Sequence, residues 1–393
     1  MTRLRLPGLI DPHVHVRDLN QAHKEDWDSC TASALAGGFT TILAMPNTQP
    51  PIADAESLAL YEQAASARAR CDYGIYLGAG PGNVDTAAAL APRVAGLKMY
   101  LDSTFGNLKM DHLDLLVKHC ARWPAESPLL AHAEGNNVAA AILAAHLAGR
   151  SIHICHVSRK DEIELIAEAK GKGFAVTCEV CPHHLFMTEG GIPTPTLPRW
   201  RAIAELRDGG GLGRGYSEVR PRLATQADVD ALWANLGAID CFATDHAPHT
   251  RAEKESQHPP PGFPGLETAL ALWLTAAHAG KLTLDDITAR LSTNPRRIFN
   301  LPEQPETWIE IDIDYQWSPR AEKTFTRCGW TPFEGWPLIG KVVSTTLRGQ
   351  LAYDGEKLLA QPGYGLNVNL KSATLSVSLR GLSSKIKNRK ETI

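Results

Sequence analysis

Two histidines and an arginine stand at alternate positions in the stretch Leu9-Ile10-Asp11-Pro12-His13-Val14-His15-Val16-Arg17. Apolar residues lead in and then alternate with polar ones, which is the pattern of a strand. On a strand, residues i and i+2 share a face, so His13, His15 and Arg17 project together with Val14 and Val16 behind them. Two imidazoles one pleat apart can grip one metal ion, and the arginine beside them can hold an anion. Taken alone, a His-x-His is an ordinary polar strand edge. The rest of the chain changes that reading.

His132 ends the apolar run Leu129-Leu130-Ala131-His132, and His156 ends Ile152-His153-Ile154-Cys155-His156. Either alone reads as a satisfied buried histidine. Together with His13 and His15 they make four imidazoles at strand ends, a donor set that suits zinc. Neutral histidines leave two cations short of negative charge, so a carboxylate belongs nearby. Asp245, in Ala243-Thr244-Asp245-His246-Ala247-Pro248-His249, is the best candidate, and a helix N-cap is its plainer role. Lys98 interrupts Ala95-Gly96-Leu97-Lys98-Met99-Tyr100-Leu101. A lysine there is costly in a strand core unless it snorkels out of the strand end. A buried amine has a depressed pKa and is nucleophilic. It can add carbon dioxide to form a carbamate, long enough to bridge two metals about 3.5–4 Å apart. Cys178 and Cys181 form a lone Cys-x-x-Cys with no second pair to complete a structural zinc site, and that spacing reads as coincidence.

The elements that must position these residues recur with one rhythm. Apolar, β-rich runs fall at Leu9–Val16, Thr40–Met45, Tyr73–Leu77, Gly96–Leu101, Pro128–Ala133, Ile152–Val157, Phe174–Val180 and Ile239–Thr244. Segments with helical periodicity lie between most of them, such as Ser57–Arg70, Asn136–Leu147 and Asp161–Lys170. Eight strands alternating with helices predict an α/β fold, a closed (β/α)8 TIM-type barrel. An open doubly wound sheet is the alternative, but no Gly-x-Gly-x-x-Gly follows the first strand. The polar residues His13, His15, Asn47, Lys98, His132, His156, Glu179 and Asp245 sit at or just past the C-terminal ends of these runs. In a barrel those ends converge on one face. The barrel is expected over 9–300, with 1–8 and 301–365 forming a small β layer and 366–393 a linker or disordered tail. Glu189–Tyr216, rich in Pro and Gly, reads as a surface loop.

Composition excludes several functions. The 393 residues carry 40 Lys+Arg and 43 Asp+Glu, a net charge of −3, which leaves no basic footprint for nucleic acid or membrane. No run of about 18 apolar residues offers a span, and the first residues lack the apolar core of a signal peptide. Eight dispersed cysteines fit cytoplasmic usage.

The ordered motifs resemble the amidohydrolase superfamily. They are Asp11-Pro12-His13-Val14-His15, Ala44-Met45-Pro46-Asn47-Thr48, Gly96-Leu97-Lys98-Met99-Tyr100, His132-Ala133-Glu134, His153-Ile154-Cys155-His156-Val157 and Asp245-His246-Ala247-Pro248-His249. Cys178-Glu179-Val180-Cys181-Pro182-His183-His184, Glu218-Val219-Arg220-Pro221, Pro261-Gly262-Phe263-Pro264-Gly265 and Asn294-Pro295-Arg296-Arg297 narrow the match to dihydroorotases, of the kind found in animal multifunctional pyrimidine-synthesis proteins. The resemblance implies a barrel with a small appended β-sandwich layer and the reversible cyclisation of N-carbamoyl-L-aspartate to L-dihydroorotate in pyrimidine biosynthesis. It implies one zinc held by His13, His15 and Asp245, and another by His132 and His156. Carboxylated Lys98 bridges them, and Asp245 shuttles the proton. Arg17, Asn47 and His249 take the substrate carboxylate, with Arg220 close by. A third zinc site uses Cys155 and Glu179 with His13 and Asp245. Thr104 and Phe105 belong to a mobile lid. The resemblance also implies association with carbamoyl-phosphate synthetase and aspartate transcarbamylase, and a homodimer is the default assembly. Two competitors share the scaffold: a related cyclic-amide hydrolase such as a dihydropyrimidinase, hydantoinase or allantoinase, and a non-catalytic scaffold that has lost its ligands.

Overall fold

The structure is a computed structural model that describes residues 2–104, 106, 108–191 and 215–370. Phe105, most of the Glu189–Tyr216 stretch and residues 371–393 lie outside the described residues.

A first strand, β1 (Arg3–Pro7), precedes the barrel. Then β2 (Leu9–Val14), β3 (Phe39–Ala44) and β4 (Asp72–Ile75) pair in parallel, in that order. A second parallel sheet runs β5 (Leu77–Gly78), β6 (Leu97–Tyr100), β7 (Leu129–His132), β8 (Ile152–Ile154), β9 (Val176–Val180) and β10 (Cys241–Phe242). The two sheets share one stave, because β4 runs into β5 through Tyr76. The Tyr76 N–H bonds the Ala44 carbonyl on one side at 2.9 Å, and the next N–H, of Leu77, bonds Gly96 on the other at 3.0 Å. Closure comes from a parallel bridge between Val14 and His246 and from the His15 N–H on the His246 carbonyl at 2.8 Å. Asp11 stitches the same seam, accepting from the Thr244 hydroxyl at 2.6 Å and the Thr244 N–H at 3.2 Å. The result is the expected eight-staved barrel, and all eight expected strands are present.

The interior is a packed core and not a pore. Ile10, Leu43, Met45, Tyr76, Leu130 and Cys155 fill it, and Phe299 and Leu301 cap it from below. Each such large apolar side chain contributes about 1.5–3 kcal/mol by leaving water. Helices pack outside, and their starts are set by local chemistry. Asp26, Asp54 and Thr225 each accept an N–H from the third helical residue of the helices Trp27–Ala36, Ala55–Arg68 and Gln226–Ala234. Between β5 and β6 the barrel helix is replaced by the 3-10 turn Ala87–Arg93, which contains Pro92.

The appended layer is a four-stranded antiparallel sheet, ordered β1, β11 (Trp308–Trp317), β12 (Leu338–Leu347), β13 (Gln350–Tyr353). It lies on the helix Leu266–His278, where Thr275 accepts the Ile339 N–H at 2.9 Å. Gly340 makes that approach possible: at φ +92 a Cβ would fall 2.4 Å from Leu274 Cδ1. Residues 366–370 begin the stretch read as a tail, and they run along the barrel instead. Tyr73 exchanges backbone bonds with Leu366 and Val368 at 2.9 and 2.8 Å.

Candidate metal centre and anion pocket

Three backbone features deliver the site. His13 and His15 leave the end of β2 on one face, their rings 5.4 Å apart. The chain then turns sharply, with Arg17, Asp18 and Leu19 all at positive φ. Asp18 holds that turn by accepting the Trp27 N–H at 3.1 Å and pairing with Arg68 at 2.9 Å. His156 (φ 36) and Asp245 (φ 47) are likewise left-handed at the ends of their strands. Backbone of this kind costs about 1–3 kcal/mol per residue and persists where the surroundings impose it.

The expected ligands meet in one buried cluster. Asp245 Oδ1 lies 3.0 Å from His15 Nε2 and 3.4 Å from His13 Nε2. His132 Nδ1 and His156 Nε2 are 2.9 Å apart, and the His156 ring is 5.0 Å from that of His13. Lys98 is fully buried, its Nζ 2.8 Å from Cys155 Sγ. Glu179 Oε1 takes His13 Nδ1 at 2.5 Å, and its Oε2 is held by His153 Nε2 at 3.1 Å. His13, His15 and Asp245 form one potential metal site, and His13, Cys155 and Glu179 a second. A third such group, Cys181, His183 and His184, uses one half of the Cys-x-x-Cys pair.

The proton count favours a cation there. Burial, with help from Lys98, holds the His13 imidazole down to about 4, so near neutrality it carries one proton. Its hydrogen bonds to His13 and His153 hold the Glu179 carboxyl far below the usual range against its burial, and it must take the His13 Nδ1 proton. The lone pair of His13 Nε2 then faces the Asp245 oxygen, acceptor against acceptor. A cation between them resolves that conflict. His132 Nδ1 and His156 Nε2 face each other across the gap a metal would fill, while on the far sides of the rings His132 Nε2 lies 3.5 Å from Glu134 and His156 Nδ1 has no hydrogen-bond partner among the described residues. Burial also lowers His15 and His156 well below the ordinary histidine range, which keeps them neutral donors. The residues present therefore fit a divalent metal centre.

Beside this cluster a small cleft is lined by His15, Arg17, Asn47, Thr104, Arg220, Asp245, Pro261 and Gly262. Of the expected substrate residues, Arg17, Asn47 and Arg220 line it and His249 does not. Gly106 stands at φ +108, and a Cβ there would fall 3.3 Å from Asn47 Cβ. The base of its loop is tied by Asp102, which accepts the Glu134 N–H at 2.7 Å and the Asn137 amide at 2.9 Å. Arg220 is half-buried and turned to Glu218 at 3.2 Å. His249 lies under Arg17, with Nε2 2.9 Å from Arg17 Nη2 and 3.0 Å from the Pro261 carbonyl. Lys24 donates to its Nδ1 at 3.2 Å. Nε2 can serve only one of its two neighbours at a time: protonated it donates to the Pro261 carbonyl, and unprotonated it accepts from Arg17.

Sequence reasoning missed Lys24, Lys254 and His153. Each looks like a surface or strand residue in isolation, and only the packed loops show what each touches.

A closed (β/α)8 barrel with a buried histidine–carboxylate cluster at its C-terminal rim defines the class of barrel amide hydrolases. The chain belongs to the amidohydrolase family, whose pattern matches residues 4–305. It is 49% identical over 369 residues to the multifunctional protein pyr1-3 of Dictyostelium discoideum, covering 94% of this chain but only 16% of that protein. It is 34% identical to the dihydroorotase of Pyrococcus horikoshii, covering 92% of this chain and 83% of that one. Among solved structures, the inactive dihydroorotase-like domain of the Chaetomium thermophilum CAD-like multifunctional protein matches with a TM-score of 0.76 at 28% identity, over 93% of this chain and 99% of that one.

Proposed function

We propose that this chain is a dihydroorotase, interconverting N-carbamoyl-L-aspartate and L-dihydroorotate on a zinc centre. The observation that carries the reading is the adjacency of two sites: a buried histidine–carboxylate cluster, and a cleft beside it bearing Arg17, Asn47 and Arg220. An anionic ring amide needs both. The inactive relative raises the scaffold alternative, and the ligand set argues against it, since every expected donor is in the cluster.

His13, His15 and Asp245 would hold one zinc, His132 and His156 another, with Lys98 carboxylated between them; Cys155 and Glu179 would serve a third. Bound there, the cations supply Lewis acidity towards the ring carbonyl and make water acidic enough to attack near neutral pH. Arg17, with Asn47 and His249, orients the carboxylate of the ring through charge-assisted hydrogen bonds. Asp245 takes the proton of the attacking water at its free carboxylate oxygen and returns it to the departing ring nitrogen. Burial raises its pKa, which suits a group that must both accept and give up a proton. Thr104 and Phe105 would close the lid and exclude bulk water. Ring closure consumes one proton, so acid favours dihydroorotate and base the open form.

No helix among the described residues is long and apolar enough to cross a membrane. The reading adds a cytoplasmic setting, a homodimer, and work alongside carbamoyl-phosphate synthetase and aspartate transcarbamylase, as in the multifunctional relatives. The test is turnover by the purified, zinc-loaded chain. Dihydroorotate should be hydrolysed and dihydrouracil should not, with the equilibrium ratio shifting about tenfold per pH unit. Preference for dihydrouracil, or a ratio unchanged between about pH 6 and 8, would end this reading.

A further inference from the structure

Lys254 closes the short helix Arg251–Lys254 and is 1% exposed. Its Nζ donates to three backbone carbonyls, Glu218 at 2.9 Å, Pro260 at 2.9 Å and Gly262 at 3.2 Å. An ammonium has three donors, and here all three are used. The Trp330 and Phe263 rings flank it at 5.3 and 5.6 Å. Those carbonyls belong to the two loops that form the outer wall of the cleft, carrying Arg220 on one and Pro261 and Gly262 on the other. The loops also bond each other through the Gly262 N–H and the Glu218 carbonyl at 3.0 Å. His249 is tied into the same knot, because its Nε2 reaches the Pro261 carbonyl and Trp330 donates to its carbonyl at 2.7 Å.

No carboxylate among the described residues lies within 4 Å of Nζ; its hydrogen bonds go to carbonyls, and the Glu218 carboxylate acts on it only from farther off. Burying a cation without a counter-ion costs several kcal/mol, and a methionine would fill the same space. The charge is offset by the three carbonyls it joins, which an apolar side chain of the same size would leave without that donor. We propose that Lys254 is a positioning residue: it fixes the wall that holds Arg220, Gly262 and His249 in register with Arg17, and its charge selects a ring that carries a carboxylate. Burial, together with Arg17 and Arg220, pushes the amine down to about 7 against the pull of the Glu218 carboxylate, so an arriving carboxylate would add to the charge that favours the protonated form.

The inference rests on the dihydroorotase reading for its substrate. The test compares Lys254→Met with the unaltered chain, both zinc-loaded, by dihydroorotate kinetics and by calorimetric binding of dihydroorotate. The expected result is a KM and a Kd raised about tenfold or more. kcat should fall less than about threefold, metal content should stay the same, and the preference over dihydrouracil should shrink by a similar factor. Lys254→Arg, which keeps charge and donors, should recover part of the affinity. Should Lys254→Met not fold, Lys254→Gln, which keeps two donors and loses the charge, makes the same comparison. Equal KM and Kd with only a lower melting temperature would make Lys254 structural and overturn the proposal. Binding without turnover in the unaltered chain would sink the enzyme assignment instead.

Discussion

The two faces of the barrel differ in a way that volume alone would misjudge. On the floor, between the barrel and the β layer, lies a cleft of about 960 Å3 lined by Arg5, Arg296, Asn300, Gln304 and Trp308. At the rim, the cleft beside the histidine cluster measures about 20 Å3. A search by size would choose the floor. Most of the floor's polar groups, however, have partners: Arg5 lies over Trp308, Arg296 bonds the Pro302 carbonyl, and the Gln304 amide N–H donates to Asp72 at 2.6 Å, although the Gln304 Oε1 has none among the described residues. The rim holds neutral imidazoles with unpartnered nitrogens, a buried lysine, opposed lone pairs and left-handed backbone at Arg17, His156 and Asp245. Room locates a hole, whereas unresolved donors and imposed strain locate chemistry.

That contrast can be broken by substitution. The largest effect is expected for Lys98→Ala, which should lose at least one metal and lower turnover by about three powers of ten, some 4 kcal/mol of barrier. Elemental analysis still finding two zincs per chain would remove the carbamate. Arg17→Lys should keep the metals yet lower kcat/KM about a hundredfold, since a point charge replaces a fork of donors. Unchanged kinetics would take Arg17 out of the pocket.

A smaller effect should appear in stability. Glu267 is half-buried beneath the β layer, where desolvation pushes its carboxyl up to about 7 although Ser33, Phe325 and Thr326 donate to it. In the unfolded chain it titrates near 4.3, so the folded state binds its proton more tightly. That stability is whole below about pH 4 and is lost as pH rises through about 7, roughly 3–4 kcal/mol in all. Glu267→Gln should flatten this fall in denaturant melts taken from pH 5 to 8; an identical slope in both proteins would contradict it. The smallest effect is expected on the floor. Arg297 is exposed there, and Arg297→Ala should leave turnover within about twofold and stability within about 0.5 kcal/mol. A large loss of turnover from that face would erase the distinction between the two.

By itself the sequence determined the strands and what they carry. Each barrel strand is a short apolar run, and in most of them a polar residue falls at or just past the C-terminal end, so period and position were enough to predict eight staves and to expect His13, His15, Lys98, His132, His156 and Asp245 at one end. The helix expected from Ser57 starts two residues earlier, at Ala55, where Asp54 caps it by accepting the Ser57 N–H. Only the tertiary structure decided the rest. Lys24 and Lys254 read as solvent-facing charges; their burial depends on carbonyls and rings from loops far along the chain, including the Trp330 side chain. His153 could be seen to share a strand with His156, but its grip on Glu179 crosses to the neighbouring strand. The course of residues 366–370 against Tyr73 has no local signal, since an added edge is stabilised by backbone bonds that any side chain permits. Pattern reports what a residue does with its near neighbours, and the closing of the barrel sets which distant groups it must answer to.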